Sequence, residues 1–469
     1  MTDRIFGTDG VRGVANQTLN AELALALGRA GTKLLAGGKE RPAILVGRDT
    51  RLSGDMLEAA LVAGICSAGG EALLLGVVST PAVAYLTKDA GAAAGVMISA
   101  SHNPIEDNGI KFFSGDGFKL SDETEDRLAE LAFRPLAELG LPVGTGVGRA
   151  RSAASLMERY LEHAAGLVSG AGASAGDSAG ADGRAAAGAS GEPLKGLKVV
   201  IDCGNGSASA FAPALLRRLG ATVWALNDAG DGALINVSSG STAPDTMAAE
   251  VVRRGADLGI AHDGDADRVI MADEKGRIVD GDGIMAVCGL DLLERGELPK
   301  NTVVGTVMSN FGLELALKER GAVLRRAKVG DRYVLETMLR DGYTYGGEQS
   351  GHVINLRHNT TGDGVLTALQ VIDVMRRRGK PLSELAAVVE KVPQQLLEVP
   401  VADKSRLEHS AGVKEAVGRA EAKLNGRGRV LVRASGTQPV IRVMVEGPDG
   451  GLVAQVAREL ADAVDRNMR

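Results

Sequence analysis

The chain reads as an α/β protein of four domains: three α/β units with mixed sheets and one repeated topology, then a C-terminal α+β unit. Three observations carry that expectation. A single grammar recurs three times, a short apolar strand, a turn rich in Gly and Asp, and an amphipathic helix. Strands alternating with helices imply parallel or mixed sheets covered on both faces. From about residue 380 the order changes to helix, strand, helix, a strand pair and a closing helix, as in an α+β unit. Length alone (469 residues) suggests about three domains, and the altered tail raises the number to four.

The first repeat predicts a strand over 42–47, a helix near 54–67, a strand over 71–78, a helix near 81–89 and a strand over 94–99. It belongs to a unit spanning 1–153. The second predicts a strand at 197–202, a helix near 207–218 and a strand at 222–226, within a unit spanning 154–255. The third opens with a strand at 257–261 and occupies 256–375. The last unit, 376–469, carries a strand pair around 435–439 and a helix near 450–466. Residues 169–192 are almost entirely Gly, Ala, Ser and Asp. Such a segment buries too little apolar surface to offset its ordering entropy, which predicts a flexible surface loop.

Composition excludes several classes. The formal net charge is -6, so no strong pull toward nucleic acid is expected. Aromatics make up 3% of the chain, too few for base-stacking platforms. No apolar run reaches the roughly 18 residues of a membrane helix, and the N-terminus has no apolar signal-peptide core. Cys66, Cys203 and Cys288 are isolated and odd in number, as expected of reduced core thiols in a cytoplasmic protein.

Ser101 follows the apolar run 94–98, and His102, Asn103 and Pro104 come next. A strand ending in this turn presents a hydroxyl at the sheet edge, and Asn103-Pro104 stops the segment from continuing as a helix. Asp263, Asp265 and Asp267 stand at i, i+2 and i+4 after the third repeat's strand. Three such carboxylates repel one another unless a cation lies between them, and all-oxygen ligands suit a hard ion such as Mg²⁺. An EF-hand is a weaker reading. Glu274 falls at the twelfth position, but Arg268 stands where the loop needs Gly, and 269–272 reads as a strand. A solvated acidic turn is the bland alternative.

Gly346, Gly347 and Gly351 surround Glu348, Ser350 and His352. Glycines let backbone approach a ligand, while Glu348 and Ser350 can bind a polyol or amine and His352 can move a proton. A hairpin turn explains the same residues without a ligand. Arg433, Ser435, Gly436 and Thr437 form a cup suited to a phosphate dianion, against the alternative of an ordinary turn. The glycine-dense 6–13 segment places Arg12 in a flexible loop, where it can clamp a transferring phosphoryl group. Lys111 lies ten residues after Ser101 and is either solvated or part of the same site.

Four ordered motifs, 6–13, 98–113, 346–352 and 360–364, resemble those of the α-D-phosphohexomutase superfamily, and most closely its members that act on glucosamine phosphates. The resemblance runs from Arg4 nearly to the C-terminus, interrupted by 169–192. It implies four domains around a central cleft, with Ser101 as a phosphoserine. Asp263, Asp265 and Asp267, with an oxygen of that phosphoserine, would hold one Mg²⁺. Glu348 and Ser350 would contact sugar hydroxyls, and Arg433, Ser435, Gly436 and Thr437 the phosphate that is not reacting. Arg12, Arg268 and Lys111 would share the charge of the moving group, with His102, Lys111 and His352 as candidates for proton transfer. The reaction implied interconverts glucosamine 6-phosphate and glucosamine 1-phosphate through a 1,6-bisphosphate, supplying nucleotide-activated N-acetylglucosamine for cell walls. The nearest alternative is the same chemistry on glucose or mannose phosphates. More distant ones are a Mg²⁺-dependent phosphatase and a catalytically silent sugar-phosphate sensor. A homodimer is compatible with the resemblance. The chain departs from the pattern at Ala434 and Gln438, where Pro and Glu are expected, at Ala266, where Gly is frequent, and at His262, where an apolar or aromatic residue is common.

Overall fold

The computed structural model describes residues 4–7, 9–168, 191–435 and 439–468. Most of the 169–192 segment, together with Gly436, Thr437 and Gln438, lies outside them.

One strand order is built three times. In the first sheet, Ala43–Arg48 lies between Glu71–Val77 and Ala94–Ile98, all parallel, and Asp107–Ser114 runs antiparallel beside Ala94–Ile98. The second repeats this with Lys198–Asp202, Thr222–Leu226, Leu258–His262 and an antiparallel Val269–Asp273. The third does so with Thr302–Thr306, Val323–Ala327, Tyr345–Gly347 and an antiparallel Val353–Asn355. Each reads fourth, third, first, second across the sheet. The C-terminal sheet is a different object, three antiparallel strands with Gln394–Pro400 and Arg429–Ala434 flanking Val440–Glu446.

The repeats hold together for ordinary reasons. Ala94–Ile98, Leu258–His262 and Thr302–Thr306 are buried along their whole length, as central strands covered on both faces must be. Helix Gly281–Glu294 is apolar on nearly every side and sits inside the core. Ser79, Asp280 and Asp363 cap helices Thr80–Asp89, Gly281–Glu294 and Gly364–Arg378 through their side-chain oxygens. One continuous core joins the first three units, running from Leu45 and Met97 through Ile201 and Ile260 to Leu292 and Val303. The C-terminal unit has its own, in which Val443 and Val445 meet Val456, Leu460 and Val464 of helix Gly450–Met468.

Three expectations need correction. The strand at 257–261 does not open the third unit. Leu258–His262 pairs in parallel with Lys198–Asp202, so the second sheet continues to Val279 and a boundary at 255/256 cuts it. A boundary at 375/376 falls inside helix Gly364–Arg378, and Leu382 is still buried in the shared core. Arg12 is not on a flexible loop. It belongs to strand Gly10–Val14, which pairs with both Phe6–Gly7 and Asp107–Ser114. The glycines there serve close approach, since a Cβ on Gly10 (φ +80°) would stand 2.5 Å from the Ile110 carbonyl oxygen.

Candidate active site

The repeated topology brings three motifs to equivalent places. Ser101, the Asp263–Asp267 turn and the Glu348–His352 turn each lie in the connection from the third strand of a sheet to its antiparallel fourth. These connections leave the carboxyl ends of parallel strands, where α/β sheets gather ligand sites. A cleft of about 670 Å³ opens between them, lined among others by Asp9, Arg12, His102, Asp267, Arg268, Asp331, Glu348, Ser350 and His352.

Ser101 is buried and takes a left-handed backbone conformation, φ 52°. Its Oγ donates to Asp263 Oδ2 at 2.6 Å and lies 3.3 Å from His102 Nδ1. Asp263, Asp265 and Asp267 are all buried, each with a ligand atom within 4.8 Å of the others'. Burial first, then Asp267 and Asp265, pushes the Asp263 carboxyl well above the usual range. Against its own burial, Asp267 is held low by His352, Lys111 and Arg268. Asp265 Oδ1 and Asp267 Oδ1 have no hydrogen-bond partner. Three converging carboxylates, two unused oxygens and an adjoining hydroxyl make an all-oxygen donor set that fits a hard divalent cation. The EF-hand reading fails on geometry: Val269–Asp273 is a strand, and Glu274 Oε2 accepts from Ser383 N.

Positive charge surrounds this cluster. Lys111, on strand Asp107–Ser114, is buried with Nζ 2.8 Å from Asp265 Oδ2 and 3.0 Å from Asp9 Oδ2. Despite the cost of burial, Asp265 and Asp9 hold its pKa above the ordinary lysine value. Thr80 Oγ1 donates to the same Asp265 oxygen at 2.5 Å. Arg12 pairs with Asp9 and donates to Asn103 Oδ1 at 2.9 Å. Arg12 and Arg268 line the cleft, and each keeps a buried Nε–H without a hydrogen bond, that of Arg268 lying 3.8 Å from Asp267 Oδ1. An incoming phosphoryl oxygen would satisfy such donors.

His102 lines the cleft, and burial together with Arg268 and Arg12 lowers its pKa to about 4. His352 is buried, with Nδ1 3.5 Å from Asp267 Oδ2 and Nε2 accepting from Gly362 N at 3.1 Å. Glu348 Oε1 accepts from Gly330 N at 3.0 Å, and Ser350 is exposed at the cleft. The hairpin reading of this segment holds as well, since Tyr345–Gly347 and Val353–Asn355 pair around it. His262, unexplained by sequence, has its Nδ1 3.0 Å from the Arg268 carbonyl and ties together the two ends of the aspartate turn.

The fourth motif stands apart. Arg433 is the penultimate residue of strand Arg429–Ala434 and part-buried, and partial burial and Arg442 lower its pKa. The Ser435 carbonyl accepts from Lys404 Nζ at 2.7 Å. Neither Arg433 nor Ser435 is among the residues lining the cleft, and Gly436 and Thr437 are outside the described residues.

Sequence reasoning missed Asp9, Lys119 and Asp331. Lys119 bridges Asp9 of the first unit to Asp331 of the third. Asp331 also lies 3.7 Å from His352 Nε2. Asp9 stood within a motif already singled out, whereas Lys119 and Asp331 carry no local signal.

Family models cover all four units. Those for the phosphoglucomutase/phosphomannomutase α/β/α domains I, II and III match residues 3–137, 185–276 and 280–392, and the C-terminal domain model matches 396–463. The phosphoglucosamine mutase of Moorella thermoacetica is 53% identical over 446 residues, 95% of this chain and 96% of that one. That of Symbiobacterium thermophilum is 52% identical over 465 residues, 98% of each chain. Among solved structures, a phosphoglucomutase/phosphomannomutase family protein from Burkholderia thailandensis superimposes with a TM-score of 0.78 at 23% identity, covering 100% of this chain and 98% of that one. An Aspergillus fumigatus N-acetylphosphoglucosamine mutase, solved with GlcNAc-6P and magnesium, gives 0.63 at 18% identity, covering 99% and 96%. The chain belongs to the phosphoglucomutase/phosphomannomutase family, on the branch of the phosphoglucosamine mutases.

Proposed function

We propose that the chain interconverts glucosamine 6-phosphate and glucosamine 1-phosphate, with Ser101 carrying the phosphoryl group between them. The observation that carries this reading is the Ser101 Oγ, 2.6 Å from Asp263 within a buried aspartate cluster. Relatives about half identical over nearly the whole chain, named as phosphoglucosamine mutases, support the substrate.

Phosphoryl transfer asks mainly for positioning and charge stabilisation. O1 of glucosamine 6-phosphate attacks the phosphorus of phospho-Ser101, the new O1–P bond forms, the P–Oγ bond breaks, and the O1 proton ends on the released Ser101 Oγ. The 1,6-bisphosphate turns around in the cleft, and its 6-phosphate passes to Ser101 Oγ, leaving glucosamine 1-phosphate. The same bisphosphate, added from outside, would prime unphosphorylated enzyme. Arg12 and Arg268 would meet the oxygens of the moving group with Nε–H donors that make no hydrogen bond within the protein. Asp263, Asp265 and Asp267 would hold Mg²⁺ with a phosphoserine oxygen; when bound, the ion neutralises charge on the phosphoryl group. The magnesium in the Aspergillus neighbour supports that choice of ion.

Of the three proton-transfer candidates, His102 has the most support, its Nδ1 lying 3.3 Å from Ser101 Oγ and its ring lining the cleft. Lys111 is held by two carboxylates, and His352 by Asp267 and Gly362, so both suit charge balance and positioning better. Glu348 and Ser350 would read sugar hydroxyls, and Arg433, Ser435, Gly436 and Thr437 the distal phosphate.

Phosphorus NMR of phosphorylated, Mg²⁺-loaded protein with the 6-phosphates of glucosamine, glucose and mannose tests this directly. Fast formation of glucosamine 1-phosphate, with the other two far slower, is the expected result. Equal or better use of glucose or mannose phosphate would overturn the substrate assignment. Release of inorganic phosphate without isomer would overturn the reaction.

A further inference from the structure

The Ser101 backbone is gripped on both sides. Its N–H donates to Ser99 Oγ at 2.9 Å. Its carbonyl accepts from Arg51 Nη2 and from Asn236 Nδ2, each at 2.9 Å. Arg51 comes from the first unit and Asn236 from the second, so both units hold one carbonyl.

Arg51 is among the most deeply buried large side chains of the protein. Its guanidinium also donates to the Asn103 carbonyl at 2.7 Å, the Asp107 carbonyl at 3.0 Å and the Pro104 carbonyl. One planar fork therefore spans the whole turn from Ser101 to Asp107, which the single head of a lysine cannot do. Asp49 orients it, accepting from Arg51 Nε at 3.1 Å and Arg51 N at 2.9 Å. The same carboxylate accepts from Ser99 Oγ at 2.6 Å, and that hydroxyl oxygen takes the Ser101 N–H. A non-glycine residue leaves the left-handed region readily unless its surroundings fix it. For Ser101, a change of φ would swing Oγ away from Asp263.

We propose that Asp49, Arg51, Ser99 and Asn236 are positioning residues for phosphoryl transfer, fixing the Ser101 backbone in the conformation that aims Oγ at the aspartate cluster. The proposal rests on Ser101 being the phosphoryl carrier. None of the four is among the residues lining the cleft, so they act on turnover and leave sugar binding alone.

Ser99→Ala, Asn236→Ala and Arg51→Lys, with Thr50→Val as control, are compared with wild type in steady-state turnover of glucosamine 6-phosphate, and thermal melts report folding. Thr50 Oγ1 donates to the Asn205 carbonyl at 2.6 Å, a bond between the same two units that does not touch the Ser101 turn. Ser99→Ala and Asn236→Ala should lower kcat by about 10- to 100-fold, the scale of a small misplacement of reacting groups, with KM within about threefold. Arg51→Lys should lose at least as much, and Thr50→Val should match wild type. If Arg51→Lys fails to fold, the two smaller variants decide. Folded Ser99→Ala and Asn236→Ala with kcat within about twofold of wild type would overturn the proposal. So would an equal loss in Thr50→Val, or a loss confined to KM. Mass spectrometry of wild-type protein carrying an ¹⁸O-labelled phosphoryl group on Ser101, before and after one turnover of unlabelled glucosamine 6-phosphate, separates the two readings. A labelled group that is present and exchanged for the unlabelled phosphoryl of the substrate, alongside unaffected variants, overturns the cradle alone; a Ser101 that carries no phosphoryl group, or keeps its label, overturns the carrier role as well.

Discussion

The first three units and the C-terminal unit are joined in different ways. Between the first three the core is continuous, and polar bonds cross every junction. Thr80 N donates to the Asp265 carbonyl, Tyr160 Oη to Asp363 at 2.9 Å, Thr360 Oγ1 to the Gly117 carbonyl at 2.6 Å and Arg332 to Glu125 at 3.0 Å. The C-terminal unit has a core of its own. Arg429, paired with Glu446, reaches the Val307 carbonyl at 2.8 Å and the Ser309 carbonyl at 3.3 Å. Asn310 binds Val392 of the connecting segment through both ends of its amide. The difference teaches a division of labour. The groups proposed to handle the moving phosphoryl lie on units that share one core, and phosphoryl transfer requires such prior positioning. The loop assigned to the distal phosphate rides on a unit with independent packing, suited to closing over a sugar that must also turn around.

Four results would break or sharpen that contrast, beginning with the largest. Chelation of divalent ions should cost at least about 10³-fold in turnover, restored by Mg²⁺; activity that survives exhaustive chelation would remove the aspartate cluster from the chemistry. Arg433→Ala should raise KM by about 10- to 100-fold, the worth of a charge-assisted phosphate contact, with a smaller loss in kcat. An equal fall in kcat and kcat/KM would place Arg433 with the reacting groups instead. Arg429→Ala should loosen the unit that carries the phosphate loop and raise KM by about 3- to 10-fold, seen in solution scattering as a broader size distribution. Unchanged kinetics and scattering would show that Arg429 does not tie the unit down.

The smallest effect concerns pH and the same junction. Asp282 Oδ2 accepts from Asn310 N at 2.8 Å, and burial pushes the Asp282 pKa from 3.8 to about 7. Between these values the folded state keeps a proton that the unfolded state releases, so stability falls as pH rises through that window. Urea unfolding of Asp282→Asn should show a flatter stability profile there than wild type. Identical slopes would mean that Asp282 does not titrate in this range.

Much of this was legible in the chain because its signals are local. The helix at 54–67 lies where its apolar period placed it, and the closing helix at 450–468 is two residues longer than expected. Ser101, the three aspartates and the Glu348–His352 turn were readable because glycine, charge and strand ends coincide in short segments. Lys119 and Asp331 were not readable, since 212 residues separate them and their pairing exists only once two sheets are packed together. Asp49 and Arg51 follow a strand like any charged turn, and only the return of the chain through 101–107 gives them work. The glycines around Arg12 suggested mobility, yet they let two strands close on a third. Ala266, a departure where the resemblance expects Gly, takes a φ of 55°, a left-handed conformation that glycine adopts without a Cβ penalty.

The central claim is that Ser101 carries the phosphoryl group. Protein labelled at Ser101 with radioactive phosphate, mixed with excess unlabelled glucosamine 6-phosphate and quenched within one turnover, tests it most directly. Label should leave the protein and appear in glucosamine 1,6-bisphosphate and glucosamine 1-phosphate, and Ser101→Ala should neither take up label nor turn over. Label that stays on the protein during full turnover, or a Ser101→Ala variant with wild-type activity, would contradict it.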